Sequence, residues 1–319
     1  MRIIHDTAGG PRPERGTVVT IGAYDGVHRG HAAVIARVRE LAEPDGLATA
    51  VVTFDRHPAS VVRPESAPLL LTDLEQKLEL LEATGVDYTY VIHFDEARSK
   101  EAAEDFVRDD LVAGLNAKAI VVGEDFHFGH QRRGNVELLR TMGGELGFDI
   151  VPLELVGTDG RPAAEADRVS STAIRKLLRE GNLERANELL GRPHEVRGVV
   201  GDGDKRARDL GFPTANVNVP DEMCLPHDGI YAGWYLRPDG EPRPTAISLG
   251  RRPTFYDDQP YSLLEAHLLD HTADLYGELA RVRFVRLLRE ELKFDSVDAL
   301  IAQMGRDCDQ ARVVLGARA

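Results

Sequence analysis

Two hydrophobic periods alternate through the first half of the chain. Short apolar, β-branched runs read as strands: TVVTIG (17–22), ATAVVTF (48–54), DYTYVIHF (87–94), AKAIVVG (117–123) and FDIVPLELV (148–156). Between them, HAAVIARVRELA (31–42), DLEQKLELLEATG (73–85), EAAEDFVRDDLVAGL (101–115) and a segment over 134–146 carry helical spacing. This alternation predicts an α/β unit in which helices cover both faces of a parallel sheet. Ligands of such sheets bind outside the carboxyl ends of the strands, so the segments that follow the strands are the places to look for chemistry.

Near residue 190 the pattern changes. SSTAIRKLLREGNLERANELLG (170–191) reads as two short helices that close the first half. Beyond it, HEVRGVV, TANVNV, GIYAGWYL, TAISLG, SLLEAHLLDH and ARVRFVRLL are strand-like, separated by Gly-, Pro- and Asp-rich turns with no crossover of helix length. They predict a small antiparallel barrel or sandwich. A last helix, SVDALIAQMGRDCDQARVVLG, carries an apolar stripe of Val297, Leu300, Ile301, Met304, Cys308 and Val314 that is expected to pack on the strands. The domains are accordingly expected at 1–186 and 187–319.

Composition narrows the class. The 319 residues include 39 Lys+Arg and 53 Asp+Glu, a net charge of −14, and both halves are acidic. A non-specific nucleic-acid binder needs a basic face to neutralise phosphates, so no nucleic-acid partner is expected. No apolar run approaches the ~18–20 residues of a membrane span, and the first residues lack the apolar core of a secretory signal. Two cysteines, Cys224 and Cys308, are too few for a disulfide scaffold or a CxxC metal site. A cytoplasmic setting without a membrane partner is expected, and oligomeric state is left open.

The most pointed chemistry in the first half is GAYDGVHRGH (22–31), between the first strand and its helix. Gly22, Gly26 and Gly30 permit a tight turn and close approach of the backbone to a bound group. His28 and His31 fall at the helix start, where unpaired N–H groups and the dipole favour a phosphate. TFDRHP (53–58), GEDFHFG (123–129) and SSTAIR (170–175) supply further polar and aromatic groups near strand ends or a helix start. A hydroxyl-rich helix start such as SSTAIR serves equally well as a plain N-cap.

All four segments, in this order and spacing, resemble the motifs of the FMN adenylyltransferase module of prokaryotic bifunctional riboflavin kinase/FAD synthetases. That resemblance implies a Rossmann-like nucleotidyltransferase fold. It implies ATP binding by Gly22, Tyr24, Asp25, Gly26, His28, Gly30, His31, Ser171, Thr172 and Arg175, with His28 and His31 as the catalytic pair. It implies FMN binding by Phe54, His57, Pro58, Asp125, Phe126 and Phe128. The family most often has Phe where this chain has Tyr24, an aromatic for an aromatic.

In the second half, VVGDGDKRARDLGFPTAN (199–216) combines glycines and basic residues suited to a polyphosphate with Thr214 and Asn216, two oxygen donors two residues apart. Mg²⁺ prefers such hard ligands and completes its shell with phosphates and water. Glu265 sits on a predicted strand among Leu263, His267 and Leu269, where a carboxylate is either a paired structural charge or a general base. GFPTAN, GIYAG, GRRPTF and the strand glutamate before DLYG resemble the riboflavin kinase module of the same family, a small β-barrel with a closing helix.

Carried over by position, Gly201, Gly203, Lys205, Arg206, Arg208, Gly211, Pro213, Thr214 and Asn216 would hold ATP. Thr214 and Asn216 would also hold Mg²⁺, and Glu265 would activate the ribityl hydroxyl. Ala207 stands where the family usually has Gly, and Ser248 where Asn is common; both are expected to lie apart from Thr214, Asn216 and Glu265. The function implied is phosphorylation of riboflavin to FMN by MgATP, then adenylylation of FMN to FAD. The partners are therefore small molecules: riboflavin, FMN and ATP.

Overall fold

A computed structural model describes residues 1–6, 12–153, 169–202, 210–238, 240–250, 263–271 and 273–317. The strands of the first half are β1 (Arg2–His5), β2 (Thr17–Ile21), β3 (Ala48–Phe54), β4 (Tyr88–Ile92), β5 (Ala117–Gly123) and, after a short hairpin of β6 (His127–Phe128) and β7 (Gly134–Asn135), β8 (Asp149–Leu153). Among the described residues six of them form one parallel sheet in the order β1-β4-β3-β2-β5-β8. All five residues of β2 are buried, as the central strand of a sheet covered on both faces requires. The order runs outward from β2 through β3 and β4, then turns back through β5, so the reversal lies between β2 and β5.

The helices are α1 (Arg29–Ala42), α2 (Pro58–Val62), α3 (Leu74–Glu82), α4 (Ala103–Phe106, continued to Gly114) and α5 (Val136–Leu146). The single helix expected over 101–115 widens into a π-helix at Val107–Gly114. One of its bonds runs from the Leu115 N–H to the Asp110 carbonyl at 2.9 Å. Asp110 is buried there and accepts from the Tyr90 hydroxyl at 2.7 Å and from Arg98 at 2.6 Å. β1 was not foreseen, because RIIH buries only Ile4 and its partner β4 is far away in sequence.

The chain groups into two compact units, Met1–Ser171 and Thr172–Ala319. Helices α6 (Ser171–Arg179) and α7 (Leu183–Leu190) thus fall largely with the second unit, although the sequence reads them as closing the first. The reason lies in their bonds: His227 N–H donates to the Leu178 carbonyl at 2.8 Å, and the Asn187 amide donates to the Phe284 carbonyl at 2.9 Å.

The second unit is built from β9 (His194–Gly201), β10 (Ala215–Asn218), β11 (Gly229–Leu236), β12 (Pro242–Gly250), β13 (Leu263–Leu268) and β14 (Leu279–Arg289). They close into an antiparallel barrel in the order β10-β13-β12-β11-β14-β9, which settles the choice between barrel and sandwich. Tyr231, Tyr235, Ile247, Val282 and Phe284 are fully buried in this unit. The last helix, Val297–Leu315, sets Cys308, Ala311 and Val314 in one apolar cluster with Ala232, Ala246 and Leu269. Arg289 fixes it by a bidentate pair with buried Asp307 at 3.0 and 2.7 Å. The expected stripe is trimmed at its start, where Val297 is 58% exposed.

Gly233, in the middle of β11, shows why its segment needs a glycine. A Cβ there would lie 2.1 Å from the Arg283 carbonyl oxygen and 2.5 Å from Ile247 Cδ1. Gly233→Ala is expected to destabilise the barrel by about 1–3 kcal/mol, the usual range for overpacking, read as a lowered melting temperature.

Candidate functional sites at the sheet ends and on the barrel face

The turn after β2 is held in an uncommon backbone shape. Gly26 has φ 84°, while Tyr24 at 49° and Val27 at 37° are non-glycine residues at positive φ. Such conformations persist only where surroundings enforce them, and they concentrate at functional sites. Here Asp25 supplies much of the enforcement. Its buried Oδ1 accepts from the Leu71 and Thr72 N–H groups at 2.8 and 3.1 Å, and its carbonyl accepts from the Ser171 hydroxyl at 2.8 Å. The Thr72 hydroxyl in turn accepts from Gly26 N–H at 3.1 Å. Asp25 therefore anchors the turn through its carboxylate.

His28 caps α1, its Nδ1 accepting from the His31 N–H at 3.2 Å. A nitrogen that accepts carries no proton, so the neutral ring bears its proton on Nε2. The two imidazoles stack with centroids 3.6 Å apart and an interplanar angle of 13°. Tyr24 lies against His31 at 4.7 Å, and its hydroxyl meets Thr20 Oγ1 at 2.8 Å. Burial drives the Tyr24 phenol well above its ordinary pKa, so it stays neutral. Gly22 opens the turn after β2, and Gly30 lies between the two histidines in the first turn of α1.

Two of the three segments expected to face the turn, TFDRHP and GEDFHFG, follow the strands β3 and β5 that neighbour β2. Phe54 ends β3 and meets Phe94 edge-on at 5.3 Å. His57 caps α2 through Nδ1, which accepts from Ala59 N–H at 3.1 Å, and Pro58 takes the first helical position. After β5, Asp125 is exposed, while Phe126 and Phe128 stack at 5.4 Å and Phe128 reaches Phe106 at 5.7 Å. Ser171 opens α6; Thr172 is exposed and Arg175 buried on that helix, within the second unit.

Sequence reasoning missed Lys77, which is buried on α3. Its Nζ donates to the Phe54 carbonyl at 2.7 Å and the Ala23 carbonyl at 3.3 Å. Burial lowers its pKa to about 8, against the pull of Asp25 and Asp55.

On the barrel, strand register brings together residues of the second candidate site. Asn216 lies opposite Gly201 on one side and Glu265 on the other, and Glu265 lies opposite Ser248. Asn216, Glu265 and Ser248 are half-buried. Ser248 thus does not stand apart from Glu265, as expected, but directly beside it, because β12 and β13 are neighbours in the barrel. Thr214 is two residues before Asn216 and lines a cavity of about 420 Å³ together with His271, Leu275 and Tyr276. The buried Nε2 of His271 has no hydrogen-bond partner among the described residues.

His267 holds the GFPTAN segment in place, a role its sequence position gave no sign of. Its Nδ1–H donates to the Pro213 carbonyl at 2.8 Å, and its ring meets Phe212 edge-on at 5.5 Å. Burial lowers its pKa, which favours the neutral ring that this contact uses. Gly211 precedes Phe212 at φ 91°. Gly203, Lys205, Arg206, Ala207 and Arg208, and the GRRPTF segment beyond Gly250, lie outside the described residues.

Two family models match the chain, one described as FAD synthetase over residues 11–173 and one described as riboflavin kinase over 190–315. A Listeria monocytogenes protein named bifunctional riboflavin kinase/FMN adenylyltransferase is 39% identical over 297 residues, covering 92% of this chain and 91% of its own. The protein of that name from Escherichia coli K12 is 39% identical over 304 residues, with 95% and 94% covered. That from Haemophilus influenzae is 34% identical over 312 residues, with 98% of each covered. A solved structure named as a macrolide-efflux protein from Streptococcus pneumoniae has a TM-score of 0.83 at 28% identity, covering 98% of this chain and 99% of its own. Among the described residues of this chain no helix is long and apolar enough to cross a membrane.

The Asp25 anchor is open to a direct check. Asp25→Ala leaves two buried N–H groups without their acceptor, and the first unit is expected to lose about 2–4 kcal/mol in urea unfolding.

Proposed function

The chain belongs to the bifunctional riboflavin kinase/FMN adenylyltransferase family, and from that premise we propose how its residues divide the two reactions. The second unit transfers the γ-phosphoryl group of ATP to riboflavin, giving FMN and ADP. The first joins FMN to the adenylyl group of a second ATP, giving FAD and pyrophosphate. We put the functional boundary at 186/187, between the matches that end at 173 and begin at 190.

In the adenylyl transfer a phosphate oxygen of FMN attacks the α-phosphorus of ATP, and the bond from that phosphorus to the β-phosphate oxygen breaks. The attacking phosphate is ionised near neutral pH, so the protein's task is alignment and stabilisation of charge. His28 and His31 donate to phosphate oxygens at the head of α1, with Ser171, whose hydroxyl donates to the Asp25 carbonyl, assisting. Gly22, Tyr24, Asp25, Gly26 and Gly30 shape the turn around the nucleotide. Phe54, His57, Pro58, Asp125, Phe126 and Phe128 border the flavin side. The observation that carries this reading is the stacked histidine pair at the start of α1, following one of the two strands between which the sheet reverses.

In the kinase reaction the terminal ribityl hydroxyl attacks the γ-phosphorus, and a group must accept its proton. Glu265 does so, set between Asn216 and Ser248 by strand register. The cavity lined by Pro213 and Thr214 takes the nucleotide, and Gly201, Gly203, Lys205, Arg206, Arg208 and Gly211 are proposed to assist in holding ATP. One hydroxyl and one amide oxygen, from Thr214 and Asn216, suit Mg²⁺, which takes its remaining ligands from phosphates and water. When bound, Mg²⁺ supplies charge neutralisation at the transferring phosphoryl group.

Riboflavin, FMN and FAD are resolved chromatographically after incubation with MgATP. His28→Ala or His31→Ala is expected to cut FAD formation from FMN by about 10²–10³-fold while FMN formation from riboflavin continues. Glu265→Ala is expected to cut riboflavin phosphorylation by about 10²–10⁴-fold while added FMN is still converted to FAD. Normal phosphorylation by Glu265→Ala would remove the general-base assignment; flavin retained without turnover by the unaltered protein would overturn the enzymatic reading.

A further inference from the structure

Among the described residues of the first unit, Lys77 is a buried cation that the roles assigned above leave unused. Lys77 is only 7% exposed, and its hydrogen bonds go to two carbonyl oxygens, those of Ala23 and Phe54. Burying an ammonium among neutral acceptors is costly, whereas an apolar side chain of similar length would be buried at the same point without that cost. The helix itself does not require it, since α3 is capped by Asp73, whose carboxylate accepts from Gln76 N–H at 2.7 Å. What the ammonium does is join two strand ends.

Ala23 belongs to the turn that carries His28 and His31; Phe54 begins the segment that carries His57 and Pro58. The Thr53 hydroxyl donates to the same Ala23 carbonyl at 3.1 Å, so this oxygen is shared between β3 and α3. Immediately after Ala23 comes Tyr24, at positive φ and in contact with His31. A shift of the Ala23 carbonyl is therefore passed to the histidine pair through one strained residue. Asp25, after β2, and Asp55, after β3, are the charged groups that favour the ammonium.

We propose that Lys77 is a positioning residue for adenylyl transfer, its ammonium setting the separation between the nucleotide turn and the flavin segment through the Ala23 and Phe54 carbonyls. The proposal rests on the adenylyltransferase reading of the first unit. In that reading one segment holds the attacking phosphate and the other the α-phosphorus, so a change in their separation costs alignment more than binding. Loss of the Lys77 proton, near pH 8, removes the charge and weakens both bonds.

The test uses the full chain with Lys77→Met, Lys77→Gln and Lys77→Arg, assayed for FAD formation from FMN and ATP between about pH 6 and about pH 10. Lys77→Met is expected to lower kcat about 10–100-fold while KM for FMN and for ATP stays within about threefold. Lys77→Arg should recover more kcat than Lys77→Gln. The unaltered protein should lose kcat as pH rises through about 8, and this limb should be missing from the residual activity of Lys77→Met.

A wild-type kcat in Lys77→Met overturns the proposal. So does an equal loss in all three variants with an unchanged pH profile, which is what a purely structural lysine would give. If Lys77→Met fails to fold, the order of Arg over Gln and the alkaline limb of the unaltered protein decide the matter. An unaltered protein that makes no FAD at all refutes the adenylyltransferase reading itself; normal FAD formation with indifferent Lys77 variants refutes only the role given to Lys77.

Discussion

A parallel sheet whose strand order reverses must separate the connections leaving the two strands at the reversal, and the gap lies at their carboxyl ends. In the first unit this reversal falls between β2 and β5. The His28/His31 turn follows one of those strands and the Phe126/Phe128 segment the other. The strained backbone at Tyr24 and Val27, the Asp25 anchor and the Lys77 bridge are local means of shaping one lip of that gap. Their arrangement has little use anywhere else on the sheet.

The second unit answers the same need for a site in the opposite way. Its sheet closes on itself, and fully buried Tyr231, Tyr235 and Phe284 occupy its core. A small barrel filled by side chains has no room for a ligand within. The site proposed for the kinase reaction is accordingly built from half-buried Asn216 and Glu265 and the cavity beside Thr214. Both units serve anionic substrates within a chain of net charge −14, so placed donors rather than bulk charge must do the binding.

Local patterns carried most of the fold. The strand periods of β2, β3, β5 and β11 and the helical period of α1 are visible within a dozen residues each, and so is the histidine pair, whose spacing lies within one helical turn. What was hidden depends on partners far away in the chain. β1 has meaning only beside β4; the π-helical widening of α4 accompanies Asp110 bonds to Arg98 and Tyr90. Lys77 and His267 act on backbone carbonyls, of Ala23, Phe54 and Pro213. A carbonyl leaves no trace in residue identity, so neither role was legible. The bonds of Asp25 to the Leu71 and Thr72 N–H groups were hidden for the same reason, because backbone donors far along the chain leave no mark on the motif.

The row formed by Asn216, Glu265 and Ser248 is set by hydrogen-bond register between β10, β13 and β12. A slip of one residue would turn Glu265 to the other face of the strand. A single-residue insertion or deletion inside β12 or β13 would break the same row, so the placing of this carboxylate depends on those two strands keeping their length as much as on the identity of residue 265.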